Sequence, residues 1–252
     1  HFFTVDSLQH LFWPDVEGVI AAGYRWLDAT VGRLWRQVGP ETALMVVSDH
    51  GVAPIDRWVH LNAWLREAGY LVADGDGRIR WEATRAFCLG YGGIYLNVRG
   101  RDPRGIVEEE RDGAALGVEI ANRLLAWRDP ATGQSVVESV RPRQSRFCGP
   151  HVWLLPDLSV TLRRGYALGR RDARGEAPAG VPVIEENTGR WRAGHEGPHE
   201  PERVAGIWLA AGPGIPPRQR ADARIVDIAP TALRLLGLEP PADMDGRPLW
   251  PA

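Results

Sequence analysis

The sequence contains no lysine, only two cysteines and no long apolar stretch. All 30 of its basic residues are arginine, which excludes enzymes that need a lysine amine, such as P-loop NTPases, Schiff-base enzymes and Ser–Lys hydrolases. Cys88 and Cys148 are too few for a disulfide framework or a thiolate zinc site. Since no apolar run approaches the roughly 18 residues of a membrane span, we expect no membrane segment.

The charge and the first residues limit the partners and the location that we expect. The net charge of −2 over 252 residues is no basic excess, which argues against a nucleic-acid or membrane-surface partner. A hydrophobic content of 44% is typical of a globular protein with a sizeable core. The opening residues, HFFTVDSLQH, contain no signal peptide, which favours a cytoplasmic location. They resemble the interior of a protein, so we expect that an N-terminal segment is missing.

Hydrophobic periodicity predicts an α/β fold. Apolar residues spaced by three or four predict a long helix over residues 16–38, and a continuous apolar run predicts a strand over 43–47 that is buried on both faces. In such folds ligands bind beyond the carboxyl ends of the strands, so polar residues that follow a strand are candidates for the site. The same patterns predict further helices over 61–68, 114–127 and 226–237, and strands over 92–98, 158–162 and 205–211.

Two Asp–His pairs are candidate metal ligands. Asp6 and His10 are four residues apart, and on a helix this spacing puts both side chains on one face, where they can hold one cation. The alternative is an aspartate at a helix start and a surface histidine. Asp49 and His50 directly follow the strand predicted over 43–47. A carboxylate there is hydrated, paired or metal-bound, because burying it alone is costly; the alternative is a solvated loop.

The segment GHEGPHE places His195 and His199 in an H-E-x-x-H pattern. In zinc proteases that pattern works on a helix, but here Gly197 and Pro198 lie between the histidines and disfavour one. The sequence therefore predicts a metal-binding loop, with a pair of solvated histidines as the alternative. Trp191 is close enough in sequence to line a site, although we expect it to pack in the core.

Together these stretches resemble the alkaline phosphatase superfamily, and in particular its type I phosphodiesterase/nucleotide pyrophosphatase branch with the bacterial phosphohydrolase and phosphomutase relatives. The resemblance implies a three-layer α/β/α sandwich around a mostly parallel sheet. It implies a single domain over residues 1–252, of which about 70–190 include an excursion that shapes substrate access. The stretches that carry it are DSLQH (6–10), VVSDHG (46–51), GGIYLNVRGRDPRGIV (92–107), GHEGPHEPERVAGIWLAAGPGI (194–215) and VDIAPTALRLLGLEPPADMDGRPL (226–249).

The resemblance also implies a site with two divalent metal ions. One ion is assigned to Asp6, His10 and His195, and the second to Asp49 and His50. Two ions about 3.5–4 Å apart can stabilise both the attacking and the leaving oxygen of a phosphoryl transfer. Aspartate and histidine suit Zn²⁺, or Mn²⁺ where carboxylates dominate.

The implied function is a metal-dependent phosphohydrolase or phosphodiesterase that uses a Ser or Thr nucleophile on a small phosphate ester or diester. The alternatives are a phosphomutase or sulfatase of the same superfamily, or a catalytically inactive binding module with the same fold. We expect Thr4 in a strand and the Ser48 side chain to point away from that of Asp49, so we assign no catalytic residue. The nucleophile is expected outside this chain, which would then be inactive alone. His199 stays an alternative to His195 as a ligand.

Overall fold

The computed structural model forms two compact units. Unit 1 contains residues 1–8, 15–51 and 204–252, and unit 2 contains residues 9–14 and 52–203. The predictions of a single domain and of a substrate-access excursion over about 70–190 stay predictions. Where the chain is described, no helix combines the length and the apolar character that crossing a bilayer requires. The structure describes residues 1–15, 17–177, 179–195, 204–216 and 222–250.

Helices and strands alternate along much of the chain, which confirms the predicted α/β class. The helices are α1 (Thr4–Phe12), α2 (Val19–Val38), α3 (Leu61–Glu67), α4 (Ala114–Ala126), α5 (Arg143–Arg146), α6 (Arg170–Ala173) and α7 (Ile228–Leu235). The strands are β1 (Leu44–Val47), β2 (Ala53–Val59), β3 (Ala86–Leu89), β4 (Gly93–Leu96), β5 (Val137–Pro142), β6 (Leu158–Leu162), β7 (Gly165–Leu168), β8 (Ile184–Glu186), β9 (Ala193–Gly194) and β10 (Trp208–Ala211).

Unit 1 contains a sheet in which β1 pairs antiparallel with β10. Val47 of β1 is 37% exposed and Leu209 of β10 is 63% exposed, so the prediction that the first strand is buried on both faces is wrong. The side chains on the faces of a sheet are buried by elements packed against them, and those of β1 and β10 stay partly exposed. Helix α2 begins beside Asp15, whose carboxylate accepts hydrogen bonds from the amides of Ile20 and Ala21. These amides in the first turn have no partner within the helix.

Unit 2 contains two four-stranded sheets. In the first sheet β2 pairs parallel with β7 and antiparallel with β8 and β9. The second has the order β3-β4-β6-β5 and is antiparallel throughout. The main hydrophobic core lies in this unit and joins α3, α4 and both sheets; its largest fully buried side chains include Leu61, Leu65, Tyr70, Ile94, Ile120, Leu124 and Leu168.

The sheets are mostly antiparallel, so the predicted three-layer sandwich around a mostly parallel sheet is not confirmed. Among the strand pairs in the described ranges, only β2 with β7 is parallel. The chain connection between β3 and β4 gives one physical reason. Gly90 and Gly92 adopt positive φ angles of 72° and 83° and turn the chain back as a hairpin. Two parallel neighbours would instead need a crossover of about a dozen residues or more.

Candidate metal centre

In unit 1, Asp6 and His50 lie close together. A ligand atom of the Asp6 carboxylate and one of the His50 imidazole are within 4.8 Å of each other. Asp6 lies on helix α1, and His50 lies in the turn that follows β1. The family resemblance assigns these two side chains to different metal ions, whereas ligand atoms this close could also hold a single ion.

Backbone hydrogen bonds hold the turn after β1 against the segment that leads into β10. The amide of Ser48 donates to the carbonyl of Ile207 at 2.9 Å, and the amide of Gly51 donates to that of Val204 at 2.6 Å. Position 51 requires glycine, because a Cβ there would lie 2.5 Å from the carbonyl oxygen of Ala205. The Ser48 hydroxyl accepts a hydrogen bond from the Ile207 amide at 2.8 Å. This hydroxyl therefore has a structural partner in the segment that leads into β10.

His50 has an oxygen atom beside each of its ring nitrogens. Nδ1 lies 2.9 Å from the carbonyl oxygen of Gly51, and Nε2 lies 3.5 Å from Oδ2 of Asp49. Both oxygens are acceptors, so the two contacts suit either a doubly protonated imidazolium or a neutral ring whose Nε2 shares a cation with the carboxylate. The side chain of Asp49 is 78% exposed and that of His50 is 28% exposed, so solutes reach both.

In unit 2, the rings of His10 and His195 have their centroids 5.3 Å apart. His10 is only 2% exposed, and its Nδ1 lies 2.6 Å from the carbonyl oxygen of Ala193. Since a carbonyl only accepts, Nδ1 carries the hydrogen of the neutral ring and Nε2 keeps the lone pair. A histidine fixed in this way has the form that binds metal ions.

Helix α1 carries both Asp6 and His10, so the condition under which their spacing of four places both side chains on one face is met. Residues four apart on a helix lie one above the other on the same face. The prediction that Thr4 lies in a strand is wrong, because Thr4 begins α1. The apolar residues around it recur with the period of a helix, and this outweighs the β preference of its short aromatic run.

The other candidates have different outcomes. His199 lies outside the described residues, together with the Gly197–Pro198 step, so the choice between His195 and His199 stays a prediction. Trp191 is not confined to the core as expected: it is partly exposed, and its ring stacks on His10 with the centroids 3.8 Å apart. The sequence signal for a position near the site was the short separation between Trp191 and His195.

Comparison with known proteins supplies a family. Residues 1–215 match the family model described as type I phosphodiesterase / nucleotide pyrophosphatase, which belongs to the alkaline phosphatase superfamily. The matched range includes every residue that the sequence predicts as a metal ligand. No curated protein matches the chain significantly.

Proposed function

The chain belongs to the type I phosphodiesterase/nucleotide pyrophosphatase family, and on that basis we propose that it is a metal-dependent phosphoric ester hydrolase. The family match over residues 1–215 is the observation that carries the proposal. The substrate class that follows is a small phosphate monoester or diester. The ligands that we propose for two divalent ions are Asp6, His10, Asp49, His50 and His195.

The chemistry of the donor set supports metal binding. Carboxylate oxygens and imidazole nitrogens are the ligands that Zn²⁺ takes in catalytic sites, and Mn²⁺ accepts them as well. The backbone carbonyls beside Nδ1 of His10 and Nδ1 of His50 leave Nε2 of each neutral ring as the ligand atom. Asp6 pairs with His50 in unit 1 and His10 pairs with His195 in unit 2, and α1 carries one member of each pair.

Divalent ions at such a site would neutralise the phosphoryl charge and polarise the bond to the leaving oxygen. The chain's own contribution is to present its ligand atoms in fixed positions. Helix α1 sets the distance between Asp6 and His10 along one face. The backbone bonds of Ser48 and Gly51 fix the turn that carries Asp49 and His50.

The nucleophile stays a prediction. The family resemblance implies a Ser or Thr, and the structural partner of Ser48 supports our not choosing that hydroxyl. A position outside residues 1–252 and inactivity of this chain alone are expectations that an assay can check.

The test measures zinc binding and phosphodiester chemistry with the purified 252-residue chain. Zinc affinity is measured by competition with a chromophoric chelator for wild type, Asp6→Asn, His50→Asn and His195→Ala. We expect each substitution to weaken zinc binding by at least about 10-fold, because losing even an outer-shell partner of a ligand costs that much. His151→Asn and Asp76→Asn, at exposed positions that are not candidate ligands, are the matched controls and should leave the affinity unchanged.

Bis(p-nitrophenyl) phosphate serves as the substrate probe. We expect it to bind only to the zinc-loaded chain, without turnover. Turnover would support the hydrolase and contradict the prediction that the nucleophile lies outside the chain. Unchanged zinc affinity in Asp6→Asn, His50→Asn and His195→Ala, or substrate binding that ignores zinc, would overturn the proposed site. His199→Ala decides the remaining choice, since it should retain the metal that His195→Ala loses.

A further inference from the structure

Two contacts within unit 2 fix the imidazole of His10. The first is the hydrogen bond from Nδ1 to the carbonyl of Ala193 at 2.6 Å. The second is the indole of Trp191, which lies against the ring with an interplanar angle of 24° and a centroid distance of 3.8 Å. The hydrogen bond to Ala193 does not by itself prevent the ring from rotating, since rotation about χ2 of a histidine is soft. A flat ring against one face removes this freedom.

Trp191 is itself placed by neighbours with defined positions. Its carbonyl accepts a hydrogen bond from Nδ2 of the buried Asn187 at 2.6 Å, and the same amide group donates to Ile55 of β2. The amide of Arg192 donates to the carbonyl of His10 at 2.6 Å, which ties the segment to α1. The backbone that carries the indole is thus held to β2 through Asn187 and to α1 through the carbonyl of His10.

The exposed guanidinium of Arg170 adds a third contact to this stack. Its Cζ lies 4.9 Å from the centroid of the Trp191 ring, within the range of a cation–π interaction. Arg170 begins helix α6, so a second element of unit 2 holds the indole in place. These contacts hold Trp191 at a loop position against His10, so they support a role in orienting His10 more than a role in the hydrophobic core.

We propose that Trp191 is a positioning residue for His10: it holds the imidazole in the orientation that presents Nε2 as a metal-ligand atom. This inference rests on the proposed function for the role of His10 as a ligand. Trp191 acts through His10 and touches neither metal nor substrate in this account. The Ala193 carbonyl favours the proton on Nδ1, and the indole keeps the ring from turning away from that carbonyl, so that Nε2 stays the ligand atom.

The experiment compares Trp191→Ala, Trp191→Leu and Trp191→Phe with wild type. Trp191→Leu keeps apolar volume without a flat ring, and Trp191→Phe keeps a smaller flat ring. Trp153, which is exposed in the same unit, supplies the matched control Trp153→Ala. Thermal unfolding of each variant checks that the fold is retained. Zinc affinity and long-range ¹H–¹⁵N spectra of the zinc-free histidine rings are the two readouts.

We expect zinc affinity to fall about 10-fold in Trp191→Ala and Trp191→Leu, as for other residues that orient a ligand. Trp191→Phe should stay within about 3-fold of wild type, since stacking geometry is retained, and Trp153→Ala should not differ from it. In the zinc-free spectra, His10 of wild type should show the Nδ1–H tautomer, and Trp191→Ala and Trp191→Leu should show averaging between tautomers.

Unchanged affinity and an unchanged tautomer in both Trp191→Ala and Trp191→Leu would overturn the inference. A loss in Trp191→Phe as large as that in Trp191→Ala would also overturn it, because stacking would then not be the cause. If wild type binds no zinc, the proposed function fails. The zinc-free spectra still test whether Trp191 orients His10, so the two failures are distinguishable.

Discussion

Asp172 is a buried carboxylate that should make the stability of unit 2 depend on pH. It is 1% exposed and accepts hydrogen bonds from the amides of Leu61 and Asn62, the first two residues of α3. Burial raises the pKa of Asp172 from its ordinary value of 3.8 to about 7, against the opposing effect of the two amide bonds. The folded protein therefore keeps a proton on this carboxyl that the unfolded chain has already lost.

The sign of the effect follows from proton linkage. Between about pH 4 and pH 7 the folded state binds the extra proton, so the free energy of unfolding falls as the pH rises through this window and levels off above it. A pKa difference from 3.8 to about 7, at about 1.4 kcal/mol per unit, sets an upper limit of about 4 kcal/mol for the fall.

Urea unfolding between pH 5 and pH 8 measures this slope. Asp172→Asn carries no titrating group and should flatten the profile, whereas Asp76→Asn, at an exposed position, should leave it unchanged. His60 lies 3.7 Å from Asp172 and 3.1 Å from Glu185, so His60→Gln serves as a second comparison variant. Equal slopes for wild type and Asp172→Asn would refute the reasoning.

Two further predictions concern close packing and a buried ion pair. Gly51→Ala would bring a Cβ to 2.5 Å from a backbone oxygen, so the turn that carries His50 should shift and zinc affinity should fall by about 10-fold. The control in the same chelator competition is Gly75→Ala, whose Cβ would meet no atom within 4 Å. Equal zinc affinities of the two variants would contradict the steric argument. Asp129 is fully buried and lies 2.8 Å from Nε of Arg57. Asp129→Ala should therefore lower the free energy of unfolding by about 3 kcal/mol in urea, and a loss no larger than that of Asp76→Ala would count against a stabilising role for the pair.

The elements that sequence patterns predict well are those that depend on nearby residues. The predicted helices over 61–68 and 114–127 match α3 and α4, and the predicted strand over 158–162 matches β6. Each of these segments shows the apolar period of its own structure, and Gly69 ends α3 with a positive φ of 80°. Asp6 and His10 were candidates because of their spacing of four residues, although helix α1, which carries them, was not predicted.

Strand pairing was not predictable in this way, because it depends on contacts between distant segments. The run over 43–47 has the composition of a fully buried strand, yet β1 pairs with β10, about 160 positions later, and Val47 stays exposed. A continuous apolar run indicates only that burial of the strand would be favourable. Which strands lie beside it, and in which direction they run, is decided by the whole chain.

For the candidate site too, some features can be predicted from residue type and others cannot. The side chains of aspartate and histidine have the chemistry of metal ligands, so they are candidates by residue type and spacing alone. Ala193 has no such signal: it acts through its backbone carbonyl, and strand β9 places that oxygen by pairing with β2. The orientation of His10 thus depends on a backbone oxygen, which residue type does not reveal. Residues that tune a site through the backbone are therefore found only once the fold shows which carbonyl faces which ring.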